Sequence, residues 1–209
     1  MRNARDTLAY TTERFGAPVI LLGSSQGGML AMALAATDAP LAGVIAHNIL
    51  DPADPSALRV TRLPGRLAAV RRPLLRLLAL AAKVFPRLPV PIGAYLDLGK
   101  VCGDPQSLER FRTDPLALRA YPLRFIASLF TADLSGITDG SITCPVVVLA
   151  ATGDPLFPTY DARRLYERIA APAKRFVALD LDRHLIFNEC VEQALPVVEA
   201  ELRRLVGQD

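Results

Sequence analysis

The feature that most restricts the fold lies near the start of the chain. There the apolar run Val19-Ile20-Leu21-Leu22 meets Gly23-Ser24-Ser25-Gln26-Gly27 and passes at once into Met29-Leu30-Ala31-Met32-Ala33-Leu34. Five residues must carry the backbone from a strand into a helix, with a serine at the apex. A Gly-x-Ser-x-Gly turn in this setting holds its serine in a strained conformation. Its flanking glycines are expected to remove side chains that would collide where strand meets helix. The Ser25 hydroxyl is therefore expected to stand clear of the sheet.

The rest of the chain repeats the alternation of strand and helix. Helical patterns cover residues 3–15, the stretch after the turn to about Asp38, residues 160–170 and residues 191–206. Near-continuous apolar strands are expected at residues 19–22, 41–49, 144–151 and 175–181. Strands without polar alternation are buried on both faces, which implies a parallel sheet covered by helices. With 209 residues, 51% of them hydrophobic, the chain can bury a single substantial core. The expected organisation is an α/β core formed by residues 1–50 and 141–209, interrupted by a helical insertion over residues 51–140.

The insertion reads as proline-punctuated helices with no convincing strand. Residues 55–96 contain no Asp or Glu but carry Arg59, Arg62, Arg66, Arg71, Arg72, Arg76, Lys83 and Arg87. From Pro73, which suits a first helical turn, Leu74, Leu75, Leu77, Leu78, Ala81, Ala82 and Phe85 form a broad apolar face. Arg72, Arg76, Lys83 and Arg87 follow helical spacing opposite it. One reading is a packing helix with a solvated basic face. The other is a lid that touches anionic lipid, or the carboxylate and phosphate ends of amphiphiles. Arg71, Arg72 and Arg76 interrupt the most apolar stretch, so residues 55–96 could lie on a membrane but not span it.

A net charge of +3, without an aromatic-basic module, gives no support to nucleic-acid binding. Cys102, Cys144 and Cys190 are far apart, odd in number and without metal-ligand spacing. Free thiols, rather than a disulfide framework or a metal site, are expected of them. The first residues, Met1-Arg2-Asn3-Ala4-Arg5-Asp6, have no apolar stretch behind them. Together with the cysteines, this points to a cytoplasmic protein.

A serine hydroxyl is a poor nucleophile at neutral pH and needs a general base, itself oriented by a third group. Two histidines are available. His184, in Asp180-Leu181-Asp182-Arg183-His184-Leu185, follows the last strand, where a parallel sheet presents functional groups. His47 ends the second strand, and is read as a locally hydrogen-bonded residue or as a pocket wall. Asp154, in Thr152-Gly153-Asp154-Pro155, follows the third strand and is either the orienting carboxylate or simply a turn residue. Asp51 is the reserve candidate, while Asp180 and Asp182 lie too near the histidine in sequence to reach its far nitrogen. The candidate constellation is Ser25, Asp154 and His184, in that chain order.

With that order, the sequence resembles the α/β-hydrolase family. The segments Thr152-Gly153-Asp154-Pro155-Leu156-Phe157-Pro158 and Arg183-His184-Leu185-Ile186-Phe187-Asn188-Glu189 are similar to its acid and histidine loops. The nearest likeness is to the serine-nucleophile branch of lysophospholipases, monoacylglycerol lipases and serine aminopeptidase-like enzymes, which insert a helical cap where residues 51–140 lie. The resemblance implies Ser25 as nucleophile, His184 as base and then acid, Asp154 as orienting carboxylate, and the Gln26 backbone N–H as one oxyanion donor. The second donor of the family comes from a loop before the turn. Only 24 residues precede Ser25 here, so the early strands and that loop are expected to be missing from this chain. Loss of one donor costs about a hundred- to a thousandfold in rate, and residues 19–22 are expected at a bare sheet edge open to pairing. The resulting expectation is a serine hydrolase of carboxylic esters acting on a monoacyl lipid or similar amphiphile, with no cofactor or metal. The alternative is a non-catalytic remnant or binding module.

Overall fold

The computed structural model describes residues 1–37, 39–62 and 69–207. In chain order the first elements are α1 (Arg2–Phe15), β1 (Val19–Ser24), α2 (Gln26–Ala35) and β2 (Leu41–His47). A 3₁₀ turn over Pro55–Val60 leads to α3 (Arg71–Val84), β3 (Pro89–Pro91), α4 (Ile92–Tyr95), α5 (Leu98–Val101), α6 (Pro105–Thr113), β4 (Ala120–Pro122) and α7 (Leu123–Phe130). The chain closes with β5 (Val146–Ala151), α8 (Thr159–Arg168), β6 (Lys174–Leu179), α9 (Ile186–Glu189) and α10 (Val191–Leu205).

Strands β1, β2, β5 and β6 form one parallel sheet in that spatial order. Every residue of β5 is buried, because helices cover both faces of the sheet's middle. On one face Val44, Ala46, Val146 and Val148 pack with Ala31, Met32 and Ala35 of α2 and Leu165 of α8. Alternate residues of the same strands, Ile45, Val147 and Leu149, meet Ala194 and Val198 of α10 on the other. The strand period of two thus splits each apolar run between two cores.

The expected strands and helices are all present, with ends moved by a few residues. The second strand stops at His47 rather than 49, because Asn48 takes a positive φ of 51° and breaks the ladder. The helix after the serine ends at Ala35, and Asp38 lies outside the described residues. Strand β1 forms one edge of the sheet, as expected, and its Leu22 is 46% exposed.

The segment between β2 and β5 departs from expectation in two ways. It contains a short antiparallel ribbon, β3 with β4, where no strand was anticipated. Each strand has three residues and proline at Pro89, Pro91 and Pro122, too short for a periodic signal; each also has an unpaired side, where a missing N–H is tolerated. The second departure is in α3. Its Leu78, Ala81 and Ala82 pack on Leu123 and Ala127 of α7, but Leu77 and Phe85, read on the same broad apolar face, are 63% and 60% exposed. Leu80 and Val84 join them outside, so α3 is apolar on two sides and the contact with α7 uses only one. Arg66 lies outside the described residues.

Met32 has no exposed surface and sits between α2 and the centre of the sheet. Met32→Ala should cost about 2–5 kcal/mol through lost burial and a residual cavity, read as a lower midpoint in urea unfolding at unchanged slope.

Candidate active site

In a parallel sheet all carboxyl ends lie on one side, and ligands collect there. The turns after β1, β2 and β5 and the loop after β6 carry, in that order, Ser25, Asn48, Asp154 and His184. These are the residues on which the site is built.

Ser25 caps α2 with φ 54° and ψ −117°, a left-handed region that a side chain occupies only under constraint. Its amide donates to the His47 carbonyl at 2.9 Å, which ties the turn to β2. The glycines around it are not equivalent. A Cβ on Gly23 would run into the Gly27 carbonyl, and one on Gly28 would come within 2.8 Å of the His47 carbonyl oxygen. A Cβ on Gly27 would meet nothing within 4 Å. The expectation that both flanking glycines avoid collision therefore holds for Gly23 but not for Gly27. Gly28 has that second role, because α2 leans on β2 there. Gln26 is the first residue of α2, so its N–H has no partner within the helix.

Asp154 and His184 are both buried, and their side chains meet with His184 Nδ1 2.8 Å from Asp154 Oδ2. The other carboxylate oxygen, Oδ1, accepts the amides of Leu156 at 2.7 Å and Phe157 at 2.8 Å. One oxygen of the carboxylate thus closes the Gly153-Asp154-Pro155 turn, and the other contacts His184. The Phe157 ring stacks on the His184 imidazole with centroids 5.2 Å apart and planes 16° from parallel, fixing the ring's plane. Ser25 and His184 line the same cavity, and no hydrogen bond joins their side chains.

The reserve carboxylates are elsewhere. Asp51 pairs with Arg168 at 3.3 Å, Asp182 with Arg183 at 2.8 Å, and Asp180 accepts from Thr152 at 3.3 Å. Sequence reasoning missed Asn48. Its Nδ2 donates to Asp154 Oδ2, the oxygen that also receives His184. The only sequence signal was an asparagine just past a strand, where this residue type tolerates positive φ. Its partner lies 106 positions away.

His47 lies behind the turn. Its Nδ1 is 2.9 Å from Ser24 Oγ, and its ring faces His184 and Phe187 at centroid distances of 6.3 and 5.4 Å. Burial first, and then the nearby His184, press its pKa from 6.5 down to about 3, so it stays neutral. It is a locally bonded buried histidine and does not line the cavity.

The cavity above Ser25 and His184 has a volume of about 710 Å³. Leu50 and Leu156 from the core and Val60, Ile92 and Phe130 from the segment between β2 and β5 give it apolar walls, while Arg110 and Asp114 add polar groups. Cys102, Cys144 and Cys190 are free thiols, and no cluster suited to a metal ion occurs among the described residues.

The family model for serine aminopeptidase, S33, a hydrolase family, matches residues 2–191. The chain belongs to that family. As an S33-family member it has the fold of an α/β-hydrolase, and its structure superposes on the monoacylglycerol lipase of Paleococcus ferrophilus with a TM-score of 0.72 at 23% identity, covering 100% of this chain and 76% of that one. It also matches a soluble variant of the monoglyceride lipase of Saccharomyces cerevisiae in complex with a substrate analogue. There the TM-score is 0.70 and the identity 17%, over 98% of this chain and 67% of the lipase. A thermophilic esterase from Thermogutta terrifontis follows with a TM-score of 0.57 and 23% identity, over 96% and 71% of the two chains. None of the curated proteins matches the chain.

The buried His47 gives the S33-family chain a defined acid sensitivity. Its folded pKa is depressed, so the unfolded state takes up the proton first and the stability His47 confers is complete above about pH 6.5. That stability should fall between pH 6.5 and 3, in total by on the order of 5 kcal/mol. Urea unfolding of wild type and His47→Gln at pH 7, 5 and 4 should show a shallower acid decline in the variant.

Proposed function

We propose that the chain is a serine hydrolase of carboxylic esters, with Ser25, Asp154 and His184 as its catalytic residues and residues 51–140 as a cap over the site. The supporting observation is the buried 2.8 Å contact of His184 Nδ1 with Asp154, on the floor of an apolar cavity that Ser25 also lines. With Nδ1 committed to the carboxylate, Nε2 is the nitrogen left to act on substrate. Ser25 Oγ attacks the ester carbonyl while His184 Nε2 takes its proton. The Gln26 amide donates to the resulting oxyanion. Collapse expels the alcohol, protonated by His184, and leaves an acyl group on Ser25. Water, deprotonated by the same imidazole, adds to the acyl-enzyme, and its collapse releases the acid and returns the proton to Ser25.

The substrate is a monoacyl lipid or a related amphiphile. Apolar walls around about 710 Å³ suit an acyl chain, and Arg110 and Asp114 suit a polar head group. The lipases among the structural neighbours support the same class. The three free thiols favour a cytoplasmic setting. Among the described residues no helix is long and apolar enough to cross a membrane.

A fluorophosphonate probe should label the wild-type chain. Ser25→Ala and His184→Ala should each abolish labelling, and p-nitrophenyl esters of medium or long acyl chains should turn over faster than the acetate. Absence of labelling in folded protein would reject the enzyme in favour of a binding module.

Within residues 55–96, α3 supports peripheral contact with an anionic lipid surface. Leu77, Leu80, Val84 and Phe85 are exposed beside the exposed Arg76, Lys83 and Arg87, an apolar stripe flanked by positive charge. Co-sedimentation with vesicles of phosphatidylcholine and phosphatidylserine should bring the protein down, and Leu80→Asp with Phe85→Asp should lower the partition coefficient by about a hundredfold, each buried side chain contributing about 1.5 kcal/mol or more. Equal binding of the double variant would rule this contact out.

A further inference from the structure

Resting on the triad proposed above, we infer that Asn48 is a positioning residue of the site. It holds the Asp154 carboxylate in place and, by sharing the oxygen that His184 uses, sets the basicity of the imidazole.

The geometry is specific. Asp154 Oδ2 accepts His184 Nδ1–H at 2.8 Å and also an N–H of Asn48 Nδ2. The two nitrogens stand 3.5 Å apart, both turned to one oxygen. Asn48 is wholly buried. Its burial removes an amide from water, and its Oδ1 has no hydrogen-bond partner among the described residues. The compensation is the N–H on Asp154. Its own amide donates to the Leu149 carbonyl at 3.0 Å, so the backbone of β5, the strand that leads to Asp154, fixes where the side chain starts.

The chemical consequence follows from charge sharing. A carboxylate oxygen that accepts two N–H groups presents less negative charge to each of them. Asn48 thereby weakens the hold of Asp154 on an imidazolium at His184. Without the Asn48 donor that hold is stronger, a change that a pH profile reads.

The test is the pH dependence of kcat/KM for a p-nitrophenyl ester, whose acid limb reports the free enzyme's base. Asn48→Leu keeps the volume and removes the donor. Its acid limb should move up by roughly half to one pH unit, with kcat reduced about tenfold and KM changed less than twofold. Asn48→Gly, which accepts the positive φ without strain, should move the limb the same way and serves where the leucine variant does not fold. A lower rate with an unmoved acid limb in either folded variant would overturn the assignment, since a purely structural role alters the amount of active protein and not its titration. Fluorophosphonate labelling separates this failure from that of the triad. Ser25-dependent labelling with an unmoved limb rejects the role of Asn48 alone, whereas labelling that survives Ser25→Ala rejects the triad beneath it.

Discussion

A carboxylate whose side chain has no exposed surface must find its hydrogen bonds inside the protein, and the arrangement around Asp154 answers that requirement. Four donors surround it, namely the amides of Leu156 and Phe157, the Asn48 amide and the His184 imidazole. They come from three separate parts of the chain, after β2, after β5 and after β6. The carboxylate therefore pins three loops to one another at the sheet's carboxyl end. Removal of the charge would leave donors from all three without an acceptor, a larger loss than any one of these hydrogen bonds. The local fold and the site's geometry depend on the same interaction.

The two non-glycine residues with positive φ among those described, Ser25 and Asn48, lie on either side of His47. Ser25 donates its amide to the His47 carbonyl, and Asn48 follows His47 directly. Strain at two neighbouring points persists only where the surroundings fix the backbone on every side. Here β2 is held by β1 and β5, and the His47 side chain is packed among Ser24, Phe187 and His184. A histidine that does not line the cavity thus supports the turn that presents Ser25. Its neutrality fits this role, since a charged imidazolium in this buried position would have to be desolvated.

Much of this was legible in the sequence, and the reasons differ by residue. The parallel sheet could be read from Val146-Val147-Val148-Leu149, because a strand buried on both faces leaves an unbroken apolar run. Ser25 could be read because a turn from strand to helix needs glycine at fixed offsets, although the structure moves one of those requirements from Gly27 to Gly28. Asp154 and His184 followed from their positions after strands. Asn48 could not be read, since its contact with Asp154 spans 106 positions and its residue type suits many loop ends. The β3–β4 ribbon was hidden for a different reason. Three residues per strand are too few for alternation to show, and the prolines that limit it to an isolated pair also read as breakers.

The outward face of α3 extends the same reasoning to the segment between β2 and β5. A helix with leucine on most of its circumference has to bury more than one side or leave apolar area in water. The contact with α7 buries only the side of Leu78, Ala81 and Ala82. Elsewhere the segment is tied down through acidic groups. Glu189, at the end of α9, accepts the Gly103 amide at 3.0 and 3.1 Å through its two oxygens, and Arg164 of α8 reaches Asp54 at 2.8 Å. The Glu189 side chain is almost fully buried, so its bond to Gly103 holds where an exposed ion pair would contribute little. The segment is thereby anchored beside the histidine and at its first turn. Its apolar surplus remains on α3, between Arg76 and Arg87, away from the anchored ends.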